Sequence, residues 1–252
     1  MATAKKAQVI AITQQKGGTG KTTTAAAIGA AYARSGKRVL FIDLDGQRNL
    51  TYSLNALNHA GATAAEVLAG KSKAAGAIIS IKQPPCDLIP ATDRLTTQPL
   101  TGDNWQNALK NAISPLIGKY DYIIIDTPPA LGQLLAVALI AADKVIIPTL
   151  ADFYSFQGIN QILQTIEQAR QHNSTLTIAG ILITRYDRRK VLTRDTAALI
   201  EQTASNYRTK VFTTKIRECI ALAESAATQT DIFTYAPKST AATDYNNLIK
   251  EL

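Results

Sequence analysis

The stretch Gln14-Gln15-Lys16-Gly17-Gly18-Thr19-Gly20-Lys21-Thr22-Thr23 decides the fold. Before it, Gln8-Val9-Ile10-Ala11-Ile12-Thr13 is apolar and β-branched, the pattern of a buried strand. After it, the alanine-rich run from Thr24 to Arg34 predicts a helix ending near Gly36. A glycine-rich loop between a strand and a helix N-terminus is an anion site. Its N–H groups point inward, and the positive end of the helix dipole adds to them. The Lys21-Thr22 pair supplies an ammonium for β- and γ-phosphates and a hydroxyl for Mg²⁺. The ordinary phosphate-loop pattern has a glycine five residues before Gly20, where this chain has Gln15. An additional lysine, Lys16, precedes Gly17, and the ordinary scheme has no task for it.

Working outward, Lys37 to Asp43 predicts a second strand ending in an acid, followed by a loop over 43–49 by its Asp, Gly and Asn content. Thr63 and Glu66 have the spacing of a capping box, which predicts a short helix to Ala69. Cys86 to Pro90 is a short strand. Asp103 is expected to cap a helix from Asn104 to about Ile117, kinked or ended early by Pro115. Tyr120 to Asp126 is a continuous apolar run ending in an acid, as a strand covered on both faces should be. Leu131 to Ala142 is an apolar helix and Lys144 to Pro148 a further strand. Phe156, Ile159, Ile162, Leu163, Ile166 and Ala169 recur at helical spacing, and Leu176 to Thr184 is another buried strand. Strands alternate with helices throughout. The expected fold is a single α/β domain over 1–252, a doubly wound, mostly parallel twisted sheet with helices on both faces. Ligands of such sheets sit at the carboxyl ends of the strands, where Gly17 to Thr23, Asp43 and Asp126 all fall.

The 252 residues are 46% hydrophobic and 18% charged, which suits one sizeable globular domain. No apolar run has the length of a membrane span, and Met1 to Ala7 lacks the apolar core of a secretory signal. The expected location is the cytoplasm. Cys86 and Cys219 are far apart with no metal-ligand pattern, and read as incidental thiols in a reducing compartment. His59 and His172 read as surface or loop residues. The net charge of +8 suggests a polyanionic partner.

Three strand ends converge on one phosphate-plus-metal site. Asp126 has the position of an acid that supports Mg²⁺ through its water shell. Asp43 and Asp45 form a D-x-D pair. Asp43, nearer the loop, is assigned to ordering Mg²⁺ water, and Asp45, further out, to orienting a water in line with the γ-phosphate.

The loop from Lys16 to Thr23 resembles the deviant Walker A motif of the ParA/MinD superfamily of P-loop ATPases. The likeness continues through Phe41-Ile42-Asp43-Leu44-Asp45 with Gln47 and Asn49, through Leu88 to Thr92, and through Tyr120 to Pro129. It extends to Tyr154 to Gly158 and Leu222 to Ser225, so it covers nearly the whole chain. Within the superfamily the chain is similar to short, Soj-type ParA partition ATPases, with no room before its first strand for the amino-terminal DNA-binding domain of longer types. The resemblance implies roles. Lys16 would contact the nucleotide of a partner subunit, so that two ATP molecules are sandwiched in a homodimer. Lys21 would serve its own nucleotide, Thr22 would ligate Mg²⁺ with Asp43 and Asp126 in support, and Asp45 would be the hydrolytic acid. A ParB-like, centromere-binding partner would stimulate hydrolysis, and the protein would associate with the nucleoid.

The chain departs from the superfamily pattern at several positions. Gly46 stands where proline is usual and Arg48 where glycine is usual. Val137 replaces an interface asparagine, and Ala221 falls where an arginine implicated in DNA binding is expected. Basic residues cluster late, at Arg185, Arg188, Arg189, Lys190 and Arg194, then Arg208, Lys210, Lys215 and Arg217. Arg188, Arg189, Lys190, Lys215 and Arg217 are candidates for non-specific contact with the phosphates of double-stranded DNA. Tyr186 and Tyr207 are interleaved with the cluster as candidate stacking platforms. Two alternatives keep the nucleotide site. One positions a protein cargo on the nucleoid. The other, MinD-like, acts at a membrane surface and needs a basic amphipathic terminal helix. Asp244 to Leu252 is short and weakly basic for that task, so no membrane partner is expected.

Overall fold

The computed structural model describes residues 6–252, without the side chains of Phe153, Phe156 and Gln157. The described chain runs β1 (Gln8–Ile12), α1 (Lys21–Arg34), β2 (Val39–Asp43), α2 (Asn49–Ser53), α3 (Ala64–Leu68), β3 (Ile79–Ile81) and β4 (Cys86–Ile89). It continues α4 (Arg94–Thr97), α5 (Ala108–Ile113), β5 (Tyr122–Asp126), α6 (Gln133–Ala141), β6 (Lys144–Leu150), α7 (Phe153–Arg170) and β7 (Thr177–Thr184). It ends α8 (Val191–Asn206), α9 (Ala221–Ala227), α10 (Ile232–Tyr235) and α11 (Thr240–Glu251).

The strands form one sheet in the order β3-β4-β2-β5-β1-β6-β7. All neighbours are parallel except β3, which pairs antiparallel with β4. The doubly wound reading therefore holds, with one antiparallel edge that the sequence does not announce. Ile79–Ile81 is three residues long and only partly buried, so it carries no apolar run to read. The inner strands are apolar throughout because both faces are covered. One face packs Val9, Ala11, Leu40, Ile42 and Ile125 under α3, α5, α6, α7 and α8. The other packs Ile10, Ile12, Phe41 and Ile124 under α1, α10 and α11.

Two sequence expectations need correcting. The helix expected over 104–117 is three short pieces: a 3-10 turn at Trp105–Asn107, α5, and a 3-10 turn at Ser114–Leu116. Pro115 ends the α-helical part as anticipated. Asp103 does not cap it; Asn104 and Asn107 stand at the N-cap positions. The capping box of α3 is present, with the Thr63 N–H donating to Glu66 Oε2 at 2.9 Å. Ile159, Ile162, Leu163 and Ile166 of α7 are fully buried against the sheet, and Ala169 is nearly so. Phe156, read with them, lies outside the described side chains. Both cysteines are free thiols, Cys86 buried and Cys219 half-buried. No helix among the described residues is long and apolar enough to cross a membrane.

The register decides where the chemistry lies. Asp43 is the direct partner of Asp126 across β2 and β5, and Asp126 is the partner of Ile12 across β5 and β1. The ends of three adjacent parallel strands thus bring Asp43, Asp126 and the loop after β1 to one edge.

Candidate active site

The loop from Gln14 to Gly20 leaves β1 and turns into α1. Gly18 and Gly20 have φ of 74° and 85°, values that favour glycine. Thr19 Oγ1 donates to the Lys16 carbonyl at 3.3 Å, and Lys21 Nζ donates to the same carbonyl at 3.2 Å. The outer side of the loop rests on β7, where Thr184 Oγ1 donates to the Thr19 carbonyl at 2.9 Å. A cavity of about 570 Å³ opens from the loop, lined by Gly17, Gly18, Lys21, Thr22, Thr23 and Asp45 at its polar end. That volume suits a nucleotide-sized ligand.

The acids are sorted by their surroundings. Asp43 is fully buried, and its oxygens accept from the Asp45 N–H (3.0 Å), the Thr51 N–H (2.9 Å) and the Thr51 hydroxyl (2.7 Å). Burial pushes its carboxyl up to about 6, against the pull of those three donors. Asp126 is also fully buried, but neither oxygen has a hydrogen-bond partner among the described residues. Burial, then the Asp43 charge, raises its carboxyl well above the usual range. The Thr22 hydroxyl is near enough to favour the charged form without a bond of ordinary geometry, and the Lys21 ammonium pulls the same way. Lys21 is buried and its ammonium is pulled down by desolvation, with Asp126 and Asp45 opposing. Asp45 is 7% exposed and lies on the cavity wall; its Oδ1 accepts from the Gln47 N–H at 2.9 Å. The two acids of the D-x-D pair are placed differently: Asp43 is held inward by Asp45 and Thr51, and Asp45 lies on the cavity wall.

A divalent cation fits this donor set. Two orphaned, buried carboxylate oxygens of Asp126 beside the Thr22 hydroxyl are what a hydrated Mg²⁺ requires, since the ion keeps most of its water and takes few protein ligands. No cluster of three or more acidic, His or Cys side chains suited to a metal exists among the described residues.

Lys16 is placed differently from Lys21. Its Nζ donates to both oxygens of Asp152, at 2.9 and 3.0 Å, and lies 5.7 Å from the Tyr154 ring centroid. Asp152 also caps α7, accepting from the Ser155 N–H at 2.8 Å. Asp152, Thr51 and Thr184 are site residues that sequence reasoning missed. Asp152 carried a signal, an acid three residues before Ser155 at the start of an amphipathic run; Thr51 and Thr184 carried none.

Residues 7–178 match a family described as an AAA domain. The sporulation initiation inhibitor protein Soj of Bacillus subtilis is 36% identical over 251 residues, 97% of this chain and 98% of that protein. The chromosome-partitioning ATPase Soj of Thermus thermophilus is also 36% identical, over 98% of this chain and 96% of its own. The chain belongs to the ParA/MinD superfamily. A solved structure of cobyrinic acid a,c-diamide synthase from Mycobacterium smegmatis, with a bound ATP analogue and magnesium, is 33% identical. It superposes with a TM-score of 0.81 over 97% of this chain and 93% of its own.

As a superfamily member, the chain has its candidate DNA-contacting residues dispersed in role. Arg188 and Lys190 are exposed and make no ion pair among the described residues. Arg189 is paired with Asp187 at 3.0 Å. Lys215 pairs with Glu201 at 3.4 Å and lies 4.9 Å from the Tyr186 ring centroid. Arg217 is bound to the buried carboxylate of Asp244, with Nη2 donating to Oδ1 at 2.6 Å and its N–H to Oδ2 at 2.9 Å. Val137 is fully buried and Ala221 half-buried.

Proposed function

We propose that this protein is an ATP-dependent dimerising ATPase that binds DNA non-specifically and drives DNA partition with a ParB-like partner. The observation that carries the reading is the division of labour between the two loop lysines. Lys21 turns into its own loop, where it meets β- and γ-phosphates. Lys16 turns outward to Asp152, a position from which it can serve a second subunit. A lysine reaching across a dimer favours the ATP state over the ADP state, because the γ-phosphate carries the additional charge. That differential affinity lets the nucleotide set the oligomeric state.

Bound Mg²⁺ would neutralise charge on the phosphates. Thr22 is placed to ligate it, Asp126 to hold its water, and Asp43 to support the arrangement from β2. Lys21 binds the transferred phosphoryl group. Asp45 orients the attacking water, work that needs positioning more than covalent chemistry. A dimer doubles the basic surface at Arg188 and Lys190, so DNA affinity rises with dimerisation.

The test is DNA binding at fixed salt with ATP, with ADP and without nucleotide. Tighter binding with ATP is expected, and equal affinity in the three states rejects the reading. Lys16→Ala should abolish ATP-dependent dimers. Asp45→Ala should keep them and lose turnover.

A further inference from the structure

We propose that Gly46 is a positioning residue for Asp45: lacking a side chain, it lets the loop 45–48 lie directly on α4, and this contact holds the hydrolytic carboxylate in place. The proposal rests on the assignment of Asp45 as the acid of an ATPase site.

Gly46 is buried, although it lies in a loop between β2 and α2. Its backbone is not among those with left-handed φ, so its conformation does not demand glycine. The demand is steric. A Cβ at position 46 would overlap the Thr96 Cγ2 methyl, whereas the next atoms, Thr96 N at 3.5 Å and Asp93 O at 3.6 Å, are ordinary contacts. One methyl group therefore decides whether position 46 tolerates a side chain.

Thr96 is exposed, so its methyl has room to turn, but turning has a cost. Thr96 is β-branched and stiff at χ1, and its Oγ1 donates to the Asp93 carbonyl at 2.7 Å. Turning the methyl away breaks this bond. Helix α4 cannot retreat freely. Leu95 is buried in the core, and Arg94 pairs with Glu66 of α3 at 2.6 Å. The compliant partner is the loop, and the loop moves with Asp45. The Asp45 N–H donates to Asp43 at 3.0 Å, its Oδ1 accepts from the Gln47 N–H at 2.9 Å, and its carbonyl accepts from the Arg48 N–H at 2.8 Å. Displacing Gly46 from α4 rotates this whole turn. A second tie lies at its far end. Arg48 has φ of 60°, unusual for a residue with a side chain, and its charge reaches Asp93 on the same segment that carries Thr96.

Steady-state ATP hydrolysis in the presence of double-stranded DNA tests the proposal. Gly46→Ala should lower kcat by about tenfold with KM for ATP little changed, because misplacement by a fraction of an ångström costs orientation rather than binding. Thr96→Ser removes only the obstructing methyl and keeps the hydroxyl for Asp93. Combined with Gly46→Ala, it should restore kcat to near the wild-type value. A Gly46→Ala protein with wild-type kcat, or a double variant no faster than the single, overturns the proposal. So does an equal loss in ATP affinity. If Gly46→Ala alone does not fold, the double variant is compared with wild type. A folded double at wild-type kcat supports the contact; a slow or unfolded double overturns it. A wild-type protein without turnover would remove Asp45's assignment itself, a different failure from wild-type turnover with an indifferent Gly46.

Discussion

Lys16 is held by Asp152 with both side chains about one-third exposed. Burial alone would push the Asp152 carboxyl up, but its bonds from Lys16 and Ser155 outweigh that and hold it below the usual range. If Lys16 must leave Asp152 to reach a second subunit, the pair opposes dimerisation. Asp152→Asn keeps an N-cap oxygen for Ser155 and removes the charge. An exposed pair contributes under about 1 kcal/mol, so each freed lysine should favour the ATP dimer by about twofold to fivefold. Sedimentation velocity across an ATP titration measures this, and a weaker dimer would contradict it. The buried acids respond to pH in the opposite sense to ordinary ion-paired carboxylates. Raised folded-state values mean that the fold prefers them protonated. Their stabilisation is present below the unfolded value, near 4, and lost as pH rises through about 6 for Asp43. That loss is about 3 kcal/mol for a shift of this size. Metal-free protein should therefore be less stable to urea at pH 8 than at pH 5, and Asp126→Asn should be more stable than wild type at pH 8. Added Mg²⁺ and ATP should stabilise wild type at pH 8 more than this variant. A metal-free Asp126→Asn protein weaker than wild type at pH 8 would count against the orphaned-charge account.

At the scale of the element, α1 lies unusually close to β2. A Cβ at Gly29 would overlap the ring of Phe41, which is fully buried and has nowhere to go. Gly29→Ala should cost about 1–3 kcal/mol in spite of alanine's better helix propensity, because overpacking outweighs it. An unchanged urea midpoint would show that the helix can shift. Sequence patterning reached most of this layer. The inner strands were legible because burial on both faces writes a continuous apolar run, and α7 because burial on one face writes a 3.6-residue period. What it missed are elements with no readable pattern of their own. β3 is a short, partly buried strand paired with its sequence neighbour β4, and α2 follows Arg48, whose left-handed conformation no local signal marks. The same holds within the site. Lys21, Thr22, Asp43, Asp45 and Asp126 were legible as candidates from the loop motif and the strand-end acids, and Lys16 as an additional loop lysine whose task came only from the resemblance. The Thr51 contact and the pairing of Asp152 with Lys16 were not, since they join residues 8 and 136 positions apart. The closeness of Gly46 to Thr96 is likewise a tertiary fact with no local pattern.

Across the whole molecule, the net charge of +8 does not translate into a uniform basic surface, because ion pairs divide the late cationic cluster into two populations. Arg185 is bound to Glu218, Arg189 to Asp187 and Arg217 to Asp244, whereas Arg188 and Lys190 project at the start of α8 without such partners among the described residues. The two populations should fail differently when removed. Arg188→Ala and Lys190→Ala leave no buried group unpaired, so the fold should keep its stability. Each neutralised phosphate contributes about 0.9 to the slope of log affinity against log salt. If each residue meets one phosphate in each subunit of a dimer, either variant should flatten that slope by about 1.8, with little dependence on DNA sequence. Arg217→Ala strips three side-chain hydrogen bonds from a carboxylate that is 8% exposed at its side chain. The guanidinium is half-exposed, which discounts the loss to about 1–3 kcal/mol of stability. The Arg217 backbone still donates to Asp244 in the variant, so the segment 214–220 should loosen from α11 rather than unfold the sheet. Salt titrations of DNA binding, paired with urea melts of the same three variants, separate the outcomes. A stability loss for Arg188→Ala, or a flattened salt slope with full stability for Arg217→Ala, would reverse the assignment of which cations face the polyanion and which hold the fold.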